Sequence, residues 1–168
     1  MTITKKGMIA AGLTALLLLS TTAARASQDP GPIQLTSMAE VESVTTDESG
    51  KQTVKRIPAT KVVPGKDVIY TLVFENTGTL PGNDIVIQNP IPEHTVYKVD
   101  TAAGSDTKIS YSVDGGKHFA SADALMVTEA NGSTRQATAA DYTTIRFEYT
   151  RPLPPGEKSS VEFRVVLR

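Results

Sequence analysis

The sequence predicts an all-β protein that folds as a single antiparallel sandwich of about eight or nine short strands. Apolar and polar residues alternate with a period of two in the clearest segments, and no stretch shows a convincing helical period. Turn-forming residues separate these apolar runs, and a sandwich of immunoglobulin-like (Ig-like) size has turns at this spacing. The turn segments are Pro64-Gly65, Asn76-Thr77-Gly78, Pro81-Gly82-Asn83, Asp114-Gly115-Gly116, Asn131-Gly132 and Pro154-Pro155-Gly156.

Residues 1–26 have the layout of a secretory signal peptide. Two lysines precede an almost wholly apolar run over residues 9–19, which is far shorter than the roughly 20 residues that span a bilayer. An Ala-Arg-Ala sequence that ends at Ala26 supplies the small-x-small pattern that signal peptidase requires. We predict cleavage between Ala26 and Ser27, which leaves 142 of the 168 residues. An uncleaved anchor is the alternative, because residues 7–24 carry no charge.

Export and composition together exclude several classes of function. The chain has 17 basic and 18 acidic residues, and cleavage leaves 14 against 18, a formal charge of −4. Such a domain lacks the basic face of nucleic-acid binders. No cysteine follows the cleavage point, so a lipoprotein anchor is excluded and no stable membrane anchor is expected after cleavage. We expect an exported protein, in a periplasm or at the cell surface, that folds without disulfides.

The sandwich domain is predicted over residues 33–168, after a short linker at residues 27–32 that contains two prolines and a glycine. The clearest strand covers residues 67–75, and its apolar residues on both faces predict a central, well-covered strand. Alternation over residues 145–150 and 161–168 predicts two half-buried strands with one wet face each. Weaker strand candidates are residues 33–44, 52–57, 85–88, 94–99, 108–113 and 124–128.

The turn and strand motifs follow a recognisable order. Residues 63–78 combine a Pro-Gly turn, a strand with a tyrosine among alternating aliphatics, and an Asn-Thr-Gly turn. Residues 85–92 (IVIQNPIP) form a strand that ends in a proline turn, and residues 153–167 supply a closing Pro-Gly turn and a last strand. These motifs resemble the conserved-repeat domain of bacterial surface proteins, the family catalogued as domain of unknown function eleven. The resemblance covers most of residues 33–168 and implies an Ig-like spacer or interaction module in the bacterial cell envelope.

Residues 112–119 (SVDGGKHF) contain the most specific local pattern. Ser112, Asp114, Gly116 and Phe119 fit Ser-x-Asp-x-Gly-x-x-aromatic, which resembles an Asp-box, a structural turn known from sialidase propellers and other secreted β-proteins. Asp114 can accept backbone N–H bonds across such a turn, and glycine allows the positive φ it requires. We interpret the motif as a structural turn whose Phe119 packs against the core. A sugar-contacting loop is the alternative, and one copy cannot build a propeller.

The remaining residue types indicate neither catalysis nor metal binding. His94 and His118 are the only histidines and lack a ligand spacing, and there is no Gly-x-Ser-x-Gly elbow and no glycine-rich phosphate loop. We therefore predict that the protein is not an enzyme and that it has no cofactor and no metal site. Asn131-Gly132-Ser133 matches a glycosylation sequon but is interpreted as a hairpin turn. Calcium stays an alternative because five aspartates lie in predicted loops: Asp100, Asp106, Asp114, Asp123 and Asp141.

Two classes of function follow from these observations. The first is an exported, non-enzymatic Ig-like module with a structural or protein-interaction role, whose edge strand binds an envelope protein or a second copy of the chain. The second is a small carbohydrate- or calcium-binding exported domain that uses the loops of residues 100–119. The first strand, residues 33–44, and the last strand are both candidates for edge strands. The first is the preferred docking edge, because residues 33–44 carry only Glu40 and Glu42 as charged side chains.

Overall fold

The structure, a computed structural model, describes residues 32–168, so the predicted signal peptide with its cleavage site and most of the predicted linker lie outside the described residues. This part of the chain forms eleven strands and no helix, and none of it is a helix able to cross a bilayer. The strands are β1 (Ile33–Thr46), β2 (Gln52–Pro58), β3 (Asp67–Asn76), β4 (Val86–Pro90), β5 (Thr95–Tyr97), β6 (Ala103–Gly104), β7 (Thr107–Ser112), β8 (Met126–Thr128), β9 (Thr134–Gln136), β10 (Thr144–Tyr149) and β11 (Lys158–Leu167).

All of the strand pairs are antiparallel, and the two larger sheets pack face to face, which confirms the predicted all-β sandwich. A six-stranded sheet has the order β2-β1-β3-β11-β5, with β6 also on β11, and a three-stranded sheet has the order β4-β10-β7. Aromatic rings join the sheets: Phe147 lies 6.4 Å from Phe163, and Phe74 lies 5.2 Å from Tyr149. Strands β8 and β9 form a separate hairpin around the Asn131-Gly132 turn.

Each of the nine strands expected from the sequence has a counterpart in the structure. Strand β6 was not expected because two residues are too few to show alternation, and β9 was not expected because its sequence Thr-Arg-Gln contains no apolar residue. The central position of β3 is confirmed, since β3 pairs with β1 on one side and with β11 on the other. Its Leu72 and Phe74 face the core, and Ile69 on the opposite face is also fully buried.

The expectation that the last strand is an edge is wrong. β11 lies between β3 and the two short strands β5 and β6. Its alternation arises because Val161 and Phe163 face the core while Glu162 and Arg164 face outward. Alternation shows which face of a strand is wet, and it carries no information about whether both edges are paired.

The hairpin of β1 and β2 bends back over the outer face of the six-stranded sheet. Two nitrogens of Arg56 on β2 donate to the two carboxylate oxygens of Glu162 at 2.6 and 3.1 Å, and Arg164 donates to Glu42 at 2.8 Å. β1 and β3 separate β2 from β11 in the strand order, so the contact between Arg56 and Glu162 requires the hairpin to fold over. This bend explains how Ile69, on the outer face, is withdrawn from solvent.

Asn76, at the end of β3, holds the corner where the chain leaves the six-stranded sheet. Its fully buried side-chain amide donates to the carbonyls of Leu80 at 2.8 Å and Leu153 at 2.7 Å. Its side-chain oxygen accepts the backbone N–H of Gly78 at 2.9 Å. Leu80 lies on the crossing from β3 to β4, and Leu153 lies on the crossing from β10 to β11. One side chain therefore joins two of the crossings between the sheets.

Two glycines let the start of β1 approach this corner closely. A Cβ on Gly78 would lie 2.4 Å from the Cβ of Pro32, and a Cβ on Gly82 would lie 2.8 Å from the Cδ1 of Ile33. The backbone carbonyl of Pro32 also accepts the N–H of Thr77 at 2.7 Å. The first residues of β1 are therefore fixed against the same corner.

We predict that Asn76→Ala lowers the free energy of unfolding by about 2–4 kcal/mol, because it removes three hydrogen bonds of a fully buried side chain and leaves a cavity in its place. Urea denaturation followed by circular dichroism measures this loss. Asn83→Ala is the matched control: Asn83 is exposed, and its side chain makes only a 3.4 Å contact with the carbonyl of Pro81. The control is expected to change stability by less than about 0.5 kcal/mol. Equal losses in the two variants would contradict the role of Asn76.

Candidate functional site

One lateral side of the sandwich is closed by tyrosines. Tyr97 on β5 and Tyr111 on β7 meet across the two sheets with ring centroids 5.4 Å apart, and Tyr142 stacks on Tyr111 at 4.6 Å. The hydroxyls of Tyr97 and Tyr111 lie 3.1 Å apart, and the N–H of Ala102 donates to the Tyr97 hydroxyl at 3.0 Å. Burial, followed by the hydrogen bond with Tyr97, raises the pKa of Tyr111 well above its ordinary value. Aromatic side chains thus fill this side.

The opposite lateral side is open. There a groove of about 490 Å³ runs between β1 and β4, with Ile33 and Leu35 on one wall, residues 83–88 on the other, and Phe74 at its floor. Leu35 is 53% exposed and Val86 is 50% exposed. We call this region the open seam and define it as the groove together with residues 33–38 of β1 and 86–90 of β4. The sandwich therefore presents aliphatic surface and two strand edges on one side.

The backbone direction of β1 shows which of its groups face the free edge. The carbonyl of Pro32 bonds to Thr77 on the β3 side, so hydrogen bonds to β3 recur at every second residue from there. The N–H and C=O groups of Ile33, Leu35 and Ser37 consequently point away from β3. On that side β2 pairs with β1 only from Glu40 onward, preceded by one bond from Ala59 to Ala39. Over residues 32–168, nothing pairs with the edge of residues 33–38.

This free edge lacks the features by which proteins protect exposed strands. Residues 33–38 (IQLTSM) contain no charge and no proline. By contrast, the edge strand β2 carries Lys55, Arg56 and Pro58, and the short edge strand β4 ends in Pro90. Charges and prolines on an edge prevent pairing with other chains, so their absence marks residues 33–38 as the edge most able to accept another strand.

The Asp-box-like residues 112–119 form a turn whose polar groups bond to one another. Asp114 Oδ1 accepts the Ser112 hydroxyl at 2.7 Å and the backbone N–H groups of Lys117 at 3.1 Å and His118 at 3.0 Å. The Ser112 hydroxyl oxygen in turn accepts the N–H of Gly116 at 2.9 Å. The hydrogen bond from Ser112, then those from the backbone and ring of His118, hold the pKa of Asp114 well below its ordinary value. These bonds make the turn rigid and occupy its carboxylate.

Phe119 lies on the other side of the three-stranded sheet from the core, contrary to the expectation. The guanidinium carbon of Arg146 lies 4.4 Å from the centre of the Phe119 ring, and Arg146 also donates to the hydroxyl of Ser110 at 3.2 Å. Arg146 stands between Ile145 and Phe147, which face the core, so its own side chain faces outward. Phe119 therefore covers the outer face of the sheet.

The histidines and loop aspartates take local structural positions. His94 is exposed, with its carbonyl accepting the N–H of Arg168 at 2.8 Å, and the Nδ1 of His118 lies 2.6 Å from Oδ2 of Asp114. Asp141 accepts two hydrogen bonds from Arg135 at 2.7 Å, which hold its pKa below the ordinary value.

The other loop aspartates are also spread over separate turns. Arg151 donates to Asp106 at 3.0 Å, a hydrogen bond from Ser121 lowers the pKa of Asp123, and Asp100 is exposed. Within the described residues, no three His, Cys, Asp or Glu side chains form a group that could hold a metal ion.

A second groove of about 490 Å³ lies where the β1–β2 hairpin separates from β3. Aliphatic side chains such as Val41, Val44 and Ile57 line it, and the ion pair between Glu42 and Arg164 lies at its wall. Lys61, Lys66 and Asp67 also line this groove, so its surface is charged, and it does not combine an uncharged surface with a free strand edge. The open seam is therefore the stronger candidate site.

Comparison with known proteins adds no family to this geometry. No family model matches the chain, and neither a curated protein nor a solved structure matches it. The resemblance to the conserved-repeat domain therefore stays a prediction that rests on the motifs of residues 63–78, 85–92 and 153–167.

We predict that Asp114→Asn lowers the free energy of unfolding at pH 7. The difference in this free energy between the variant and the wild-type chain should become smaller at acidic pH. The pKa of Asp114 is lower in the folded chain than its ordinary value of 3.8, so its charged form stabilises the fold above that pH. This contribution is lost as the pH falls through the folded pKa. Urea unfolding at pH 7 and at about pH 2 measures the difference.

The exposed Asp84→Asn variant is the control for the removal of one carboxylate. A difference between Asp114→Asn and the wild-type chain that stays constant between the two pH values would contradict the role of the charged Asp114 carboxylate.

Proposed function

We propose that this protein is an exported, non-enzymatic Ig-like module that acts in the bacterial cell envelope by binding another protein chain at its open seam. The observation that carries the proposal is the uncharged, unpaired edge of residues 33–38 beside an aliphatic groove. The resemblance of residues 63–78 to the conserved-repeat domain supports the envelope as the place of action.

Strand addition is the mode of binding that suits this site. A strand placed beside β1 would bond to the outward N–H and C=O groups of Ile33, Leu35 and Ser37. Each such hydrogen bond contributes about 1 kcal/mol, and burial of the exposed Leu35 adds about 1–2 kcal/mol. Alternate side chains of the added strand would enter the groove between the sheets, where they provide specificity. Backbone hydrogen bonds therefore contribute to the affinity of the site, and the side chains in the groove provide its specificity.

The loops supply no comparable site for the carbohydrate- or calcium-binding alternative. Asp114 and Asp141 are already engaged by several hydrogen bonds each within their own turns. A ligand cation at either carboxylate would compete with these bonds. The open seam, by contrast, offers backbone groups that have no partner among residues 32–168.

We predict that Ser37→Pro reduces capture of the partner at least about tenfold while leaving the fold intact. Proline removes the outward N–H of residue 37, which takes no part in the bonds to β3. The measurement is cross-linking in the native envelope, followed by mass spectrometry of the attached protein. Thermal unfolding verifies that the variant is folded.

Val99→Lys is the control, because Val99 is 61% exposed and follows β5, at the opposite end of the six-stranded sheet. It should capture the partner as the wild-type chain does. Undiminished capture by folded Ser37→Pro would overturn binding through the β1 edge.

We also predict that the exported protein begins at Ser27. Signal peptidase requires small residues at the end of the signal, so Ala26→Tyr should leave the precursor uncut. The intact mass of the protein isolated from the envelope or the medium measures the cleavage position. A mature protein that retains residues 1–26 would contradict the signal peptide and favour the uncleaved anchor.

A further inference from the structure

We propose that the open seam pairs with a second copy of this chain, through antiparallel pairing of the two β1 edges. The inference rests on the proposed function, because it names the chain that occupies the same site. It is supported by the position of the outward backbone groups, by the limit that Ala59 sets at one end of the free edge, and by the lack of charge on this edge.

The outward groups of β1 are arranged symmetrically about Leu35. Ile33, Leu35 and Ser37 point their N–H and C=O groups to the free edge. A two-fold axis at Leu35 sets Leu35 against Leu35 of the second copy, and Ile33 against Ser37 of the second copy. Every outward N–H and C=O group of the edge then has a partner, as in the hydrogen-bonded positions of an antiparallel ladder.

One end of the free edge also suits a second copy. There Ala59 already bonds to Ala39. A partner strand that continues past Ser37 in this direction would collide with the chain at Ala59. Pairing of the two segments of residues 33–37 about Leu35 ends before Ala39 in both copies.

Side-chain chemistry favours the same occupant. Isologous pairing places each residue opposite a residue of the same segment, so a charge within it would meet or approach its own copy. Residues 33–38 carry no charge. Leu35, 53% exposed in the single chain, would contact Leu35 of the second copy over the groove. Gln34 would lie opposite Thr36 of the second copy, which places polar side chains together on the outer face.

The experiment is analytical ultracentrifugation of the purified protein over a wide concentration range. Interfaces of less than about 1,200 Å² are transient, so we expect a monomer at about 5 µM that becomes a dimer towards about 500 µM. Ser37→Pro and Leu35→Lys should remain monomeric, whereas Val99→Lys should dimerise. A wild-type monomer throughout the range would overturn the inference, as would growth beyond a dimer, because isologous pairing uses up the edge.

A cysteine variant tests the register directly, since the chain has no cysteine of its own. Facing Cα atoms in a hydrogen-bonded pair lie about 5.5 Å apart, a spacing that a disulfide can bridge. Leu35→Cys should therefore form a disulfide-linked dimer under mild oxidation. Gln34→Cys, one residue from the axis and opposite Thr36 of the second copy, should form much less. Equal cross-linking of both variants would contradict a two-fold axis at Leu35.

The failure of self-pairing can be distinguished from the failure of the proposed function. Suppose that the purified chain is monomeric and that cross-linking in the envelope attaches a different protein at residues 33–38. This result overturns self-pairing, and it agrees with the proposed interaction module. A monomeric purified chain that also acquires no cross-link at this edge in the envelope overturns both.

Discussion

The arrangement of the sandwich depends on the hydrogen bonds of one buried amide, that of Asn76. The crossing from β3 to β4 and the crossing from β10 to β11 are bonded to each other through this side chain and through the backbone pair of Gly82 and Leu153 beside it. Because Pro32 is fixed to the same corner through Thr77, the starts of β1 and β4 are placed relative to each other there. The hydrogen bonds of Asn76, at one end of the open seam, therefore set the distance between β1 and β4 across it.

The parts of the fold that could be predicted are those encoded in neighbouring residues. Apolar side chains on both faces of β3 indicated a central strand, and the Pro and Gly turns marked where strands end. The position of β11 could not be predicted in this way, because pairing along its two edges depends on residues far apart in the chain. The folding of the β1–β2 hairpin over Ile69 was hidden for the same reason, since Arg56 and Glu162 are separated by 106 positions.

Of the candidate site, only the strand edge could be predicted from the sequence, and the groove could not. The scarcity of charge at residues 33–44 indicated a docking edge, but only residues 33–38 are free, because β2 pairs with β1 from Glu40 onward. The groove beside this edge requires Phe74 and β4 to be placed opposite β1. Which residues of β1 turn their N–H groups to the free edge also depends on the register with β3. The position of the Phe119 ring could not be predicted, because the motif of residues 112–119 specifies the turn and not the face of the sheet that the ring covers.

The closed side has a spectroscopic consequence. The chain has no tryptophan, so its near-ultraviolet emission comes from its five tyrosines. Three of them, Tyr97, Tyr111 and Tyr142, are clustered at the closed side, and the other two lie against Phe163 and Phe74 in the interior between the sheets. Intrinsic fluorescence therefore reports global unfolding, whereas an event confined to the edge of β1 leaves the emission unchanged and requires an external dye to be seen.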